Sequence, residues 1–292
     1  MIIIIIIIAL GCLSSKSRPF SLELLLSANL PKTGDDEKEP FLTGLDFLPD
    51  GRLLTVDNSN RKLIVLDEQL QILGTPYTFK TYPRDVAYMS QNELAVTLSK
   101  KIVSFLSVST DHSTTLTREI KTTSEVYSLC CTSPSKLVVS TFNDPRPARI
   151  ISVDGVESDF DRVKFPDKTY RSGENKCTYV QSKNTLVLTE KLAHTVYMYD
   201  TLKGTSRAVT DENIKEPRGT CIGPGDTVLV CSMRKNSIVQ LTVDGEILGT
   251  YQVDMKMPNS ICVSKDGTRL AISNNNKEFC ELKLYKISPA HS

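Results

Sequence analysis

Six segments of the chain repeat one written pattern: an apolar strand, a tight polar turn, a second apolar strand, and a short loop rich in Asn, Lys or Arg. The clearest copies are Leu45-Asp46-Phe47-Leu48-Pro49-Asp50-Gly51-Arg52-Leu53-Leu54-Thr55-Val56-Asp57 and Ile261-Cys262-Val263-Ser264-Lys265-Asp266-Gly267-Thr268-Arg269-Leu270-Ala271-Ile272-Ser273. The residues that open the second strand of each copy are Leu53, Leu94, Leu137, Leu186, Val228 and Leu270. They recur every roughly 41 to 49 residues, the spacing of propeller blades. The expected fold is therefore all-β, a six-bladed β-propeller of four-stranded antiparallel blades.

The last unit, from Met257 to Ser288, has room for three strands only. Upstream of the first unit lies an unassigned apolar segment, Phe20 to Leu26, followed by a charged linker from Lys32 to Pro40. The segment is expected to supply the missing outer strand and close the ring, covering an edge that would otherwise be unpaired. The organisation that follows is a leader or tail over 1–18, one propeller domain over 19–288, and a tail over 289–292. The period stretches between Leu137 and Leu186, through Asn143 to Pro147 and Asp159 to Glu174, which places insertions in surface loops.

Seven consecutive isoleucines follow Met1 and belong to no blade. The apolar run is shorter than the ~20 residues a helix needs to span a bilayer, so no stable membrane span is expected. It matches the length of a signal-peptide core but has no Lys or Arg before it, and a mis-started reading frame is the other explanation. The expected location is cytoplasmic, with secretion or lipid anchoring as the alternative if residues 1–15 act as a signal. Eight cysteines, at 12, 130, 131, 177, 221, 231, 262 and 280, show no metal-ligand spacing and sit mostly inside apolar strands, where thiols pack as small hydrophobes. Cys130 and Cys131, being neighbours on a strand, must face opposite ways.

With 35 basic and 34 acidic residues the net charge is +1, so no global field draws the chain to nucleic acid or an anionic membrane. Local clustering is another matter. In a propeller, the loops joining second and third strands share a face with the segments that lead into the first strands. Those loops carry Arg61 and Lys62, Lys100 and Lys101, Arg146 and Arg149, Lys191, and Arg234 and Lys235; the lead-in segments add Arg84 and Arg218. This pattern sets up a basic ring expected to capture a protein ligand, preferably acidic. RNA is the alternative partner, although the loops lack the aromatic residues that stack bases. A monomer with no cofactor is expected. The histidines His112, His194 and His291 form no HExxH motif, and no Gly-x-Ser-x-Gly elbow is present.

Thr43-Gly44-Leu45-Asp46, Leu48-Pro49-Asp50-Gly51-Arg52-Leu53-Leu54, Asp57 with Asn60, Lys62 and Leu63, and Pro217-Arg218-Gly219 with Asn236-Ser237-Ile238 and Asp244-Gly245 resemble NHL repeats. The resemblance is especially to those at the C-terminus of tripartite-motif proteins, and it extends over roughly residues 41–288. The resemblance implies a substrate-recognition propeller related to ubiquitin ligases. The paired Cys and His of a RING or B-box are absent, so ligase chemistry is not implied and the expectation is a binding module that is not an enzyme. The alternative is a calcium-dependent lactonase or esterase of the senescence-marker and paraoxonase kind, which Pro258-Asn259-Ser260 resembles. That likeness implies a metal in the central channel, held by Asn175, Asn259 and Glu125 or Glu174, whereas Phe41-Leu42-Thr43-Gly44 departs from it where Glu would stand.

Overall fold

The computed structural model describes residues 18–289 apart from 35, 91, 92, 275 and 277. The isoleucine tract and nearly all of both predicted tails, the turn at Gln91 and Asn92, Lys277 and His291 lie outside the described residues. The strand β1 (Phe20–Asn29) precedes blade one, built from β2 (Leu42–Phe47), β3 (Leu53–Asp57), β4 (Lys62–Leu66) and β5 (Ile72–Thr78). Blade two holds β6 (Pro83–Ser90), β7 (Glu93–Leu98), β8 (Ile102–Val108) and β9 (Thr114–Lys121). Blade three holds β10 (Glu125–Ser133), β11 (Lys136–Phe142), β12 (Ala148–Ser152) and β13 (Glu157–Ser158). Blade four holds β14 (Asn175–Val180), β15 (Thr185–Glu190), β16 (Thr195–Asp200) and β17 (Ser206–Val209). Blade five holds β18 (Pro217–Ile222), β19 (Val228–Ser232), β20 (Ser237–Leu241) and β21 (Ile247–Gln252). Blade six adds β22 (Pro258–Val263), β23 (Arg269–Asn274) and β24 (Glu281–Pro289), and β1 completes it in the order β1-β24-β23-β22.

The repeat works because each blade is too thin to bury its own apolar faces. The six residues that mark the period, Leu53, Leu94, Leu137, Leu186, Val228 and Leu270, are each at most 1% exposed. They sit in apolar layers that join one blade to the next, such as the cluster of Leu54, Val56 and Val65 of blade one with Val86, Leu94 and Val96 of blade two. Truncating any of the five leucines to alanine should cost about 2–5 kcal/mol. The inner strands β2, β6, β10, β14, β18 and β22 each contact the next around the ring and leave an axial channel.

Hydrogen bonds between blades tie these inner strands together. Asp46 accepts the Tyr88 N–H at 2.8 Å and Asp85 accepts that of Leu129 at 3.3 Å. The Ser128 hydroxyl takes the Cys177 N–H at 2.9 Å, and Asn259 donates to the Leu42 carbonyl at 3.1 Å, closing blade six onto blade one.

β1 pairs antiparallel with β24 from Phe20↔Pro289 to Asn29↔Glu281, with a bulge between Leu24 and Leu26. It also reaches blade five. The Phe20 ring stacks on Tyr251 with centroids 4.4 Å apart and planes 6° apart, and the Phe20 N–H donates to the Tyr251 hydroxyl. That hydroxyl in turn donates to Gln240 at 2.7 Å. The expected closure is thus present, and β1 acts as both an outer strand and a clasp across the last blade boundary.

The longer insertion is ordered rather than a loose loop. Phe160 and Tyr170 are buried, Phe165 packs edge-on to Tyr199 at 5.1 Å, and Lys168 pairs with Glu190. These contacts fasten residues 159–174 to blade four and deliver Ser172 and Gly173 to one end of the channel.

Removing residues 1–30 deletes the outer strand of blade six and the clasp to Tyr251. The truncated chain should unfold at a markedly lower temperature, measured by circular dichroism; an unchanged melting curve would contradict closure by β1.

Candidate functional site

Five of the six inner strands carry a β-bulge near their first residues. The extra residues are Thr43 in β2, Arg84 in β6, Tyr127 and Ser128 in β10, Arg218 and Gly219 in β18, and Asn259 in β22. A bulge drops a residue out of the ladder and redirects its side chain. Here the bulges fall in register around one end of the channel, so that end is lined by polar groups the regular ladder would have turned elsewhere. Only β14 starts without one among the described residues, and it contributes Lys176.

Lys176 is 6% exposed and crosses the axis. Its ammonium, carried by blade four, donates to the Thr43 carbonyl of blade one, the opposite blade, at 2.5 Å. The same nitrogen stands 3.8 Å from Asp85 of blade two and 5.7 Å from the Tyr127 ring centroid of blade three. The bulge at Thr43 is what frees that carbonyl from the sheet. Gly44 follows it because a Cβ there would lie 2.4 Å from the Asp85 carboxylate. Asp85 and Lys176 therefore form a constriction that divides the channel in two.

On the turn side of the constriction lies a cavity of about 580 Å³, within the range of small-molecule sites. Asp85 and Lys176 form its inner end, and Pro134, Pro224, Lys265 and Gly267 stand at the hairpin turns where it opens. Its walls include five thiols, from Cys130, Cys131, Cys177, Cys221 and Cys262. All seven described cysteines are unpaired, as expected. Burial pushes the Cys221 and Cys262 thiols well above the usual range, so they line the cavity as neutral groups. Cys130 packs toward blade four and Cys131 toward blade two, the opposite directions required by neighbours on one strand. At the rim, Lys265 pairs with Asp46 at 2.8 Å across the boundary of blades six and one, and lies 5.6 Å from the Tyr88 ring centroid.

The two carboxylates of the cavity differ in how their charge is met. Asp46 has its cation at 2.8 Å, whereas Asp85 has Lys176 at 3.8 Å with the ammonium committed to a carbonyl. Burial accordingly dominates at Asp85 and raises its pKa to about 6, against the pull of Lys176 and of N–H bonds from Val86 and Leu129. A carboxyl held near neutrality beside a cation in a cleft is suited to taking up and releasing protons.

On the other side of the constriction, Arg84 and Arg218 reach in from opposite blades. Arg84 Nη1 donates to the Ser172 hydroxyl at 2.7 Å, and Arg218 Nη1 donates to the Gly173 carbonyl at 2.7 Å. The Arg84 guanidinium lies over Phe142 at 4.8 Å and near Tyr127 at 5.8 Å. Gly173 adopts φ +79°, the left-handed region that favours glycine, and an added Cβ would sit 3.4 Å from Arg218 Nη1 and 3.5 Å from the Tyr127 hydroxyl.

The remaining predicted cations are distributed unevenly. Arg61, Lys100 and Lys235 are exposed on the loop face; Lys101 is also exposed there and donates to the Thr123 carbonyl. Arg61, Lys100 and Lys101 hold positive φ, so they also serve the hairpins. Lys62 is bound to Asp36 of the linker, and Arg146 to Asp144 and Asp159. Lys191 and Arg234 share Glu216. Arg149 is buried in β12 with Glu157 and Asp159. The face is thus a set of local ion pairs with a few free cations, and Arg84 and Arg218 are the two that come together at the channel. Sequence reading found both but missed Asp85 and Lys176.

Glu125, Asn175 and Asn259 do ring the channel at this end, yet they do not fit a calcium ion. Asn259 and Asn175 donate their amide nitrogens to backbone carbonyls, so each could offer only a neutral amide oxygen. Glu125 is the one carboxylate of that trio, Glu174 accepts the Arg171 N–H, and two guanidinium groups and an ammonium occupy the same stretch of channel. Calcium takes six to eight oxygens, several of them anionic. Among the described residues no group of three His, Cys, Asp or Glu assembles as a metal site.

No family profile matches the chain, and no curated protein matches it in sequence. Solved structures do match in shape. Virginiamycin B lyase from Staphylococcus aureus is 15% identical, with 93% of this chain and 100% of that chain covered and a TM-score of 0.61. A luciferin-regenerating enzyme is 11% identical over 92% and 95% of the two chains, with a TM-score of 0.68. A protein of unknown function from Bacteroides thetaiotaomicron is 9% identical over 93% and 77%, with a TM-score of 0.69. These likenesses establish the six-bladed fold. They also correct the expectation that the chain is not an enzyme: rings of this shape carry out chemistry, and the absence of a RING or B-box has no bearing on the channel.

Because Asp85 titrates near 6 when folded and near 3.8 when unfolded, the folded chain binds the extra proton between those values. The stability it contributes is present below about pH 4 and is lost as pH rises to 6, a loss of about 3 kcal/mol. Asp85→Asn should therefore gain stability relative to the native chain as pH goes from about 4 to 7 in urea titrations; a difference that stays constant with pH would contradict this.

Proposed function

We propose that this propeller binds a small molecule in the turn-side cavity and carries out proton transfer on it, with Asp85 as base and Lys176 as its electrostatic partner. The observation that carries the reading is the carboxyl with its pKa near 6, set beside a buried ammonium at the inner end of a 580 Å³ cavity. Asp85 takes a proton from a carbon or hydroxyl of the substrate and becomes neutral. The electron pair remains on the substrate, and the negative charge that develops faces the Lys176 ammonium in a site shielded from water. The neutral acid then returns its proton to the leaving or rearranged atom. Virginiamycin B lyase and the luciferin-regenerating enzyme support the idea that such a ring hosts a reaction, although neither supplies the substrate. Descent from NHL-type repeats is a further part of this proposal, supported by the Leu48 to Leu54 hairpin, and it assigns no partner.

The test is a panel of esters, lactones and carbonyl compounds bearing a β-leaving group, incubated with the chain and followed by mass spectrometry. One class should be converted, with kcat rising as pH passes about 6, and Asp85→Asn should reduce kcat by about 10²–10⁴-fold. Conversion that Asp85→Asn leaves intact, or a panel with no conversion at all, would count against the proposal.

A further inference from the structure

The opposite end of the channel holds polar groups that the proposed reaction does not use. Among the described residues, the hydrogen bond each of Arg84 and Arg218 makes through its side chain uses Nη1, and neither guanidinium forms an ion pair. The Nε–H of each is buried and without a partner. The edge left unpaired on both is thus the one formed by Nε and Nη2, the fork that grips a carboxylate with two parallel hydrogen bonds. Both forks are held in place. Arg84 lies over Phe142 and near Tyr127, and both arginines are tied to the adjoining residues Ser172 and Gly173, which the aromatic anchoring of the insertion fixes in turn.

Acceptors are left open in the same end of the channel. Glu125 Oε2 and Asn175 Oδ1 are buried with no hydrogen-bond partner within the chain, and Asn175 is 1% exposed. Unfilled buried donors and acceptors each cost about 1–3 kcal/mol. Five open polar atoms, counting Thr43 Oγ1, at the first residues of five inner strands are not a packing accident of one side chain. Two guanidinium groups set beside unpaired acceptors suit a small anion that carries its own hydrogen-bond donor.

We infer that this end of the channel is a binding site for a small monoanionic hydroxy-carboxylate, its carboxylate gripped by Arg84 and Arg218 and its hydroxyl donating to Glu125 or Asn175. The site is separate from the cavity of Asp85, from which Lys176 divides it, and it stands whether or not the reaction proposed above takes place. The Ser172–Gly173 segment acts as the positioning element, because it sets the distance between two arginines that come from opposite blades.

Nitrogen-detected spectra of the arginine Nε–H groups read the site directly. With glycolate as the probe, two Nε–H resonances should shift and saturate. Acetate, which lacks the hydroxyl, should bind about ten-fold more weakly, the equivalent of one hydrogen bond. Arg84→Lys and Arg218→Lys keep the charge but remove the fork, and each should abolish saturation while leaving the melting temperature close to native; Asp85→Asn should retain it. Shifts that grow linearly without saturating, that chloride reproduces, or that persist in both lysine variants would overturn the inference, as would loss of glycolate binding in Asp85→Asn.

Discussion

An ammonium buried on the axis of a ring must be met by acceptors from other blades, and this requirement organises the centre of the protein. Lys176 is only 6% exposed, and an ammonium left unpaired at such a depth is costly. The Thr43 carbonyl satisfies it only because a bulge has removed that carbonyl from its ladder, and Gly44 keeps the adjoining space open for Asp85. The ammonium is thereby committed to blade one and lies 3.8 Å from the Asp85 carboxylate, close enough to stabilise the charge without neutralising it in contact. The raised pKa of Asp85, the division of the channel and the closed inner end of the cavity all follow from that placement.

The scaffold makes such a placement possible by separating two tasks. The apolar layers between blades and the clasp of β1 on β24 and Tyr251 hold the outer part of the ring, while hydrogen bonds from Asp46, Asp85 and Asn259 join its inner strands. The bulges then act locally, at the start of each inner strand, to aim side chains inward without disturbing the outer strands. A six-bladed ring brings residues distant in sequence face to face: Lys176 meets Thr43, and Arg84 and Arg218 meet at residues 172 and 173.

The elements of the ring were legible because their signals are local and repeated. Leu53 and its five counterparts carry the period, and the missing strand of blade six points to Phe20 to Leu26. The channel was less legible for a physical reason. Lys176 sits in Asn175-Lys176-Cys177-Thr178, a stretch that reads as an ordinary inner strand, and nothing in its neighbours tells that the partner is a carbonyl on the opposite blade. The same holds for the basic loops: Lys62 is neutralised by Asp36 and Arg234 by Glu216, residues 26 and 18 positions away, so counting cations along the loops overstates the free charge. A lysine at the second position of an inner strand was the one available sign of an axial site. The Tyr170 and Phe165 anchoring that turns the insertion into a positioning element also depends on contacts with blade four rather than on any local motif.

The direct test of this account is the titration of Asp85 itself, followed through its side-chain carboxyl carbon resonance in the whole chain from about pH 3 to 9 and repeated in Lys176→Met. The account predicts a midpoint near 6 in the native chain and a higher one in the variant, where the opposing pull of the ammonium is gone. A midpoint near the ordinary aspartate value of 3.8 in both proteins would contradict it.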